Sequence, residues 1–136
     1  MSIRNKYNAK KASRVVGKET YTFDSKAEAK HFDKLYLLLK AGTITELKLQ
    51  PKYKLTESYT LKCNFTKNKK TTVSAMTYTP DFSYKRAGMH IVDEVKGKVT
   101  VDYRMRLKLF LAIAKDKYQI DEFNEIIGSS EKSYHL

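Results

Sequence analysis

Residues 80–97 read PDFSYKRAGMHIVDEVKG, two apolar-alternating runs separated by the turn-forming Lys-Arg-Ala-Gly at 85–88. Side chains alternate across a strand, so this text predicts an antiparallel pair, one strand from about Thr72 to Tyr84 and the next from His90 to Lys96, ended by Gly97. In the first, Met76, Tyr78, Phe82 and Tyr84 are expected on one face and Asp81 on the other. In the second, Val92, Glu94 and Lys96 share a face. Asp is uncommon inside strands, and a Glu and a Lys two residues apart on one face stand in the same local environment. These placements call for a physical reason.

Upstream, residues 44–65 also show period two (Leu47, Leu49, Tyr53, Leu55), interrupted at Pro51, which reads as one bent strand or two short ones. Residues 64–70, rich in Lys and Asn, read as an exposed hairpin tip. Before them a helix is predicted from Asp24 or Ser25, either able to cap it, to about Ala41, with Gly42 as its stop. Phe32, Leu35 and Leu39 form its apolar stripe, and Glu28 projects from the middle of that stripe. Downstream, Asp102 is the expected cap of a second helix that buries Tyr103, Leu107, Phe110, Leu111 and Ala114. Arg104 and Lys108 are expected on its outer face and Arg106 at its edge. A last strand is predicted over residues 118–123, followed by a short turn or helix at 124–127. The order is helix, three strands, helix, strand: an α/β domain over residues 21–136 with a central mixed sheet flanked by helices.

The chain has 136 residues with 27 basic and 15 acidic side chains, a formal charge of +12, and 41% apolar residues including ten Tyr and six Phe. That apolar content suffices for one buried core and argues against a disordered chain. No apolar run approaches the roughly 20 residues needed to span a bilayer, and no apolar segment follows the basic residues at the start as a secretory signal requires. A cytoplasmic location is expected. Cys63 is the single cysteine, which excludes an internal disulfide, and His31, His90 and His135 are too widely spaced for a zinc-type ligand set, so any metal must be held by oxygen. Residues 1–20 read as a basic arm, with Lys6, Lys10, Lys11 and Arg14 as candidate phosphate contacts; a solvated tail is the alternative.

Each acid also has an ordinary structural account. Ser25-Lys26-Ala27-Glu28 has the spacing of a capping box, Asp81 after a proline suits a turn, and Glu94 with Lys96 suits an exposed edge pair. Read together, the carboxylates suggest something else. Clustered carboxylates raise each other's pKa and are tolerated where a cation neutralises them, and oxygen ligands of this kind suit Mg²⁺, with Mn²⁺ able to substitute.

In order and spacing, Pro80-Asp81 followed thirteen residues later by Glu94-Val95-Lys96 resembles the PD-(D/E)XK signature of the restriction-endonuclease-like superfamily, and Glu28 is similar to that superfamily's first motif. More narrowly, the stretches at 5–11 (NKYNAKK), 23–29 (FDSKAEA), 49–53 (LQPKY), 79–82 (TPDF) and 93–97 (DEVKG) resemble a family of small phage endonucleases related to archaeal Holliday junction resolvases. The resemblance implies a restriction-endonuclease-like core with Asp81, Glu94 and the Val95 carbonyl as metal ligands, Glu28 as a direct or water-mediated one, and Lys96 as a catalytic group. It further implies a homodimer that cleaves branched DNA during recombination or replication in the host-cell cytoplasm. Gln50 is a candidate for orienting water, and Arg104, Arg106 and Lys108 for meeting DNA backbone. The rival expectation is a non-catalytic, basic nucleic-acid-binding protein, or a nuclease acting on plain duplex or single strands.

Overall fold

A computed structural model describes residues 11–136; the candidate phosphate contacts Lys6 and Lys10 lie outside them. The centre is a five-stranded mixed sheet in the order β11-β10-β9-β8-β3, where β3 is Thr45–Leu49, β8 Phe82–Arg86, β9 Met89–Lys96, β10 Glu122–Ile127 and β11 Ser130–His135. Only the β9–β10 pair is parallel, and the helix α2 (Val101–Tyr118) makes the crossover that such a pair requires. The predicted pairing holds: Phe82 faces Asp93, Ser83 faces Val92 and Tyr84 faces Ile91 across an antiparallel ladder.

β9 is buried on both sides, so its alternation sorts residues between two cores. Ile91 joins Phe82, Tyr84, Phe32 and Leu35 beneath α1 (Lys26–Lys40). Val92 joins Tyr103, Leu107, Phe110 and Phe123 beneath α2. The same alternation carries Asp93 toward the α1 side and Glu94 and Lys96 toward the α2 side.

Four expectations change. Regular structure starts before Tyr21: β1 (Ala12–Val16) and β2 (Glu19–Phe23) form an antiparallel hairpin closed by Gly17 and Lys18, with Gly17 at φ +62°, where a glycine relieves the turn. Ala12, Val16 and Tyr21 pack on the α1 core, so the stretch from residue 12 is part of the body and not a free arm. The long second strand is broken into β6 (Lys70–Val73), β7 (Met76–Tyr78) and β8, each with a different partner, and Pro80, which has no N–H for a ladder, stands at the second break. Tyr78 accordingly packs under α2 while Phe82 and Tyr84 pack under α1, where a single face had been expected for all three. Thr100, and not Asp102, caps α2, its hydroxyl accepting the Tyr103 N–H at 3.1 Å. Finally, the last strand is displaced to Glu122–Ile127, and the expected terminal turn is the continuation of that strand into the β10–β11 hairpin.

The remaining strands form two small ladders. β4 (Tyr53–Thr56) pairs with β7 against α2, and β5 (Tyr59–Lys62) pairs with β6 alone. Among the described residues no helix is long and apolar enough to cross a membrane.

Candidate active site

Three elements converge at one end of the sheet. Ser25 caps α1 by accepting the Glu28 N–H at 3.1 Å, which fixes the first turn and leaves Glu28, only 6% exposed, under the helix. Its carboxyl accepts the backbone N–H of Asp24 and hydrogen-bonds the carboxyl of Asp81. Capping and clustering therefore coexist in one side chain, with the reach-back directed to the residue before the cap.

Asp81 lies between Pro80 and β8. Its main-chain carbonyl accepts the Gln50 N–H at 2.8 Å, and its Oδ2 accepts the Val95 N–H at 2.7 Å, which ties the acid to the end of β9. Glu94, 3% exposed, accepts the phenol of Tyr78 on Oε2, while its Oε1 lies 3.6 Å from Lys96 Nζ. Lys96 Nζ also stands 4.5 Å above the ring of Tyr103, whose hydroxyl donates to the buried Glu125 at 2.5 Å. Glu28, Asp81, Glu94, Val95 and Lys96 line a single open cavity of about 560 Å³.

The electrostatics follow from the crowding. Burial, reinforced by the charge of Asp81, pushes Glu28 up to about 8. Burial and the charge of Glu94 push Asp81 up to about 8. Burial also raises Glu94, with Lys96 acting in the opposite direction. Burial and the neighbouring Glu94 raise Tyr78, which keeps it a phenol and a donor. Raised in this way, Glu28 and Asp81 hold protons at a pH where ordinary carboxyls have lost them. Among the described residues no three His, Cys, Asp or Glu side chains already surround one point as a metal shell. The donor set is nonetheless that of a hard divalent cation: crowded carboxylate and carbonyl oxygens, with Lys96 and Lys98 as the lysines that line the same cavity.

A stability prediction follows. Groups whose folded pKa is raised contribute stability that is complete below the ordinary carboxylate range and is lost as pH rises through about 8. Without divalent cations the melting temperature should fall between pH 5 and pH 9, with a slope of up to about 1.4 kcal/mol per pH unit for each titrating carboxyl. A flat or rising profile in chelator, measured by calorimetry, would contradict the clustering.

The other candidates are placed less centrally. Gln50 is exposed, with φ +51°, and does not line the cavity; its backbone, not its side chain, holds Asp81. Arg14 Nε donates to both carboxylate oxygens of Asp33, at 2.8 and 3.0 Å, instead of standing free on an arm. Arg106 is occupied by the Thr77 carbonyl at 2.6 Å and by Asp102 at 3.1 Å. Lys11, Arg104 and Lys108 are exposed, as expected of phosphate contacts. Sequence reasoning missed Tyr78, Tyr103 and Glu125. The alternation of β9 exposes Glu94 and Lys96 to whatever covers them, but only the packing of β7 and α2 reveals that tyrosines do so.

The chain is similar over residues 4–127 to the family described as Protein of unknown function (DUF1064). It belongs to that family. Comparison with curated proteins and with solved structures returns no match. The DUF1064 match runs from before the described residues to the end of β10, so it takes in Glu28, Asp81, Glu94, Lys96 and the tyrosines around them.

Proposed function

We propose that this DUF1064 protein is a divalent-metal-dependent DNA endonuclease with a restriction-endonuclease-like core, which hydrolyses phosphodiester bonds of branched DNA as a homodimer. The observation that carries the proposal is the meeting of Glu28, Asp81, Glu94 and Lys96, from a helix, the bend before β8 and the end of β9, in one open cavity. Their chain order is the one that the PD-(D/E)XK resemblance implies. Ordinary caps, turns and edge pairs have no reason to share a cavity.

Asp81 and Glu94 would hold Mg²⁺ or Mn²⁺, with the Val95 carbonyl as a further ligand and Glu28 acting directly or through water. When bound, the ion supplies charge neutralisation at the phosphate and activation of the attacking water. The chain's own groups do the rest. Tyr78 donates to Glu94 Oε2 and so fixes the rotamer of that acid, leaving Oε1 on the side of Lys96. Lys96, stacked on Tyr103, keeps an ammonium at the cavity wall where charge develops on a phosphate, and it can orient the attacking water. Symmetrical cutting of a four-way junction needs two such centres, which is the reason for proposing a dimer.

The direct test is incubation with a four-way junction, a flap, a linear duplex and a single strand, each in Mg²⁺, Mn²⁺ or chelator. Scission of the branched substrates in either metal, leaving 5′-phosphate ends, is the expected result. Salt-sensitive binding with no scission in either metal would leave a non-catalytic binding protein. Preferential cutting of plain duplex or single strands would retain the chemistry and overturn the substrate. The same ions should raise the melting temperature more at pH 9 than at pH 6, because they replace the protons held there.

A further inference from the structure

Among the described residues the hairpin formed by β5 and β6 pairs with no other strand, yet its composition is not that of an idle excursion. Residues 58–74 contain four lysines (Lys62, Lys67, Lys69 and Lys70) and no acid. Tyr59, Leu61 and Phe65 are 53%, 49% and 73% exposed. Register sorts the two sides: Tyr59 faces Val73 and Leu61 faces Thr71 on one face, while Lys62 faces Lys70 and Thr60 faces Thr72 on the other. The result is a ribbon with an apolar, aromatic side and a basic side, and among the described residues no other helix or strand packs on either.

An isolated two-stranded ribbon is marginal in water, so this one needs a base and a fastened tip. The base is the β4–β7 ladder, where Tyr53 and Tyr78 pack on Phe110 with ring centroids 5.2 and 5.1 Å away, and where the Tyr118 hydroxyl binds the backbone of Lys54. At the tip Thr66 donates to the Lys70 carbonyl at 2.7 Å, the Cys63 N–H donates to the Lys69 carbonyl at 2.9 Å, and the Lys69 N–H donates to the Thr66 carbonyl at 3.2 Å. Lys69 holds φ +59° to complete the turn. Phe65 is thus presented on a tied loop.

We propose that this hairpin is a nucleic-acid-binding finger that takes unpaired bases, stacking them on Phe65 and Tyr59 while Lys62, Lys67, Lys69 and Lys70 neutralise the adjoining phosphates. Aromatic faces set among cations are the combination that binds unstacked strands, whereas a duplex hides its base faces. Two-fold pairing of this hairpin with its copy fits less well, because it would set four lysines against four lysines. The proposal rests on the nuclease reading only for nucleic acid as partner, and it adds that the substrate offers unpaired bases near a branch.

The base of the finger is continuous with the candidate active site, since β7 ends at Tyr78, whose phenol holds Glu94. A strand gripped by the finger is therefore tethered to the same element that braces the carboxylates.

The test is fluorescence anisotropy in chelator, with labelled single strand, splayed fork, four-way junction and fully paired duplex, alongside sedimentation velocity. Phe65→Ala and Tyr59→Ala should each weaken binding of the single strand and the fork by roughly 5- to 100-fold and leave duplex binding unchanged. Phe65→Trp should retain the affinity. Replacing Lys67, Lys69 and Lys70 together by Gln should weaken all four substrates and lower the salt slope for the single strand by about 2. Unchanged single-strand affinity in Phe65→Ala, equal losses on duplex, or conversion of a dimer to a monomer without loss of affinity would each overturn the finger. Because no cleavage is involved, an inactive but normally binding protein would defeat the nuclease proposal and leave this one standing.

Discussion

Asp81→Asn is expected to lower metal-dependent DNA cleavage by at least about 100-fold while leaving DNA binding largely unchanged. Loss of an outer-shell partner of a bound metal costs about 10- to 100-fold, and loss of a ligand should cost more. The substitution preserves shape. Asn still offers an oxygen to the Val95 N–H, which Asp81 accepts at 2.7 Å, and the Gln50 hydrogen bond uses only the backbone. What disappears is the negative charge that the cation requires. The same change should stabilise the chelated protein near pH 8, since an amide can donate to Glu28 or Glu94 without carrying the charge that pushes Glu28 up. Lower activity with higher stability is the signature of a site whose acids are crowded for function. Unchanged turnover would remove Asp81 from the chemistry, and simple unfolding would support an ordinary structural role.

Lys96→Met is expected to lower kcat by roughly 10²- to 10³-fold with little change in KM. Met keeps a long unbranched stem and removes the ammonium, which stands over Tyr103 and 3.6 Å from Glu94. A group that stabilises charge developing on the phosphate acts more strongly in the transition state than in the bound substrate, so the loss falls on kcat. A variant that bound DNA weakly but turned over normally would make Lys96 a phosphate contact and not a catalytic group.

Much of this arrangement is legible in the residues because the relevant signals are local. Period two around residues 89–96 settles which side of the sheet Glu94 and Lys96 occupy, and helical spacing puts Glu28 inward. The hairpin of β1 and β2 is harder to read, since its apolar residues are few and set among polar ones, and it is the packing of Phe23, with Ala12, Val16 and Tyr21, on the α1 core that holds it. Pro80 is a visible break, but the exchange of cores across it depends on which strand each half pairs with, a non-local choice. Tyr78, Tyr103 and Glu125 were hidden for the same reason. Their roles arise from contacts between β7, α2 and β10, elements far apart along the chain.

The exposed finger was legible only as a polar tip at residues 64–70. Its aromatic side comes into view once the register of β5 and β6 is known, because period two assigns Tyr59 and Leu61 a face without saying whether anything covers it.

The central claim is that Asp81, Glu94 and the Val95 carbonyl, with Glu28 directly or through water, receive one divalent cation. It is tested most directly by the anomalous difference map of crystals grown with Mn²⁺ at pH 8. The account predicts a manganese peak in the cavity lined by Glu28, Asp81, Glu94 and Lys96, within about 2.0–2.3 Å of Asp81 and Glu94 oxygens. Carboxyls still crowded together, with no peak between them at saturating Mn²⁺, would contradict it.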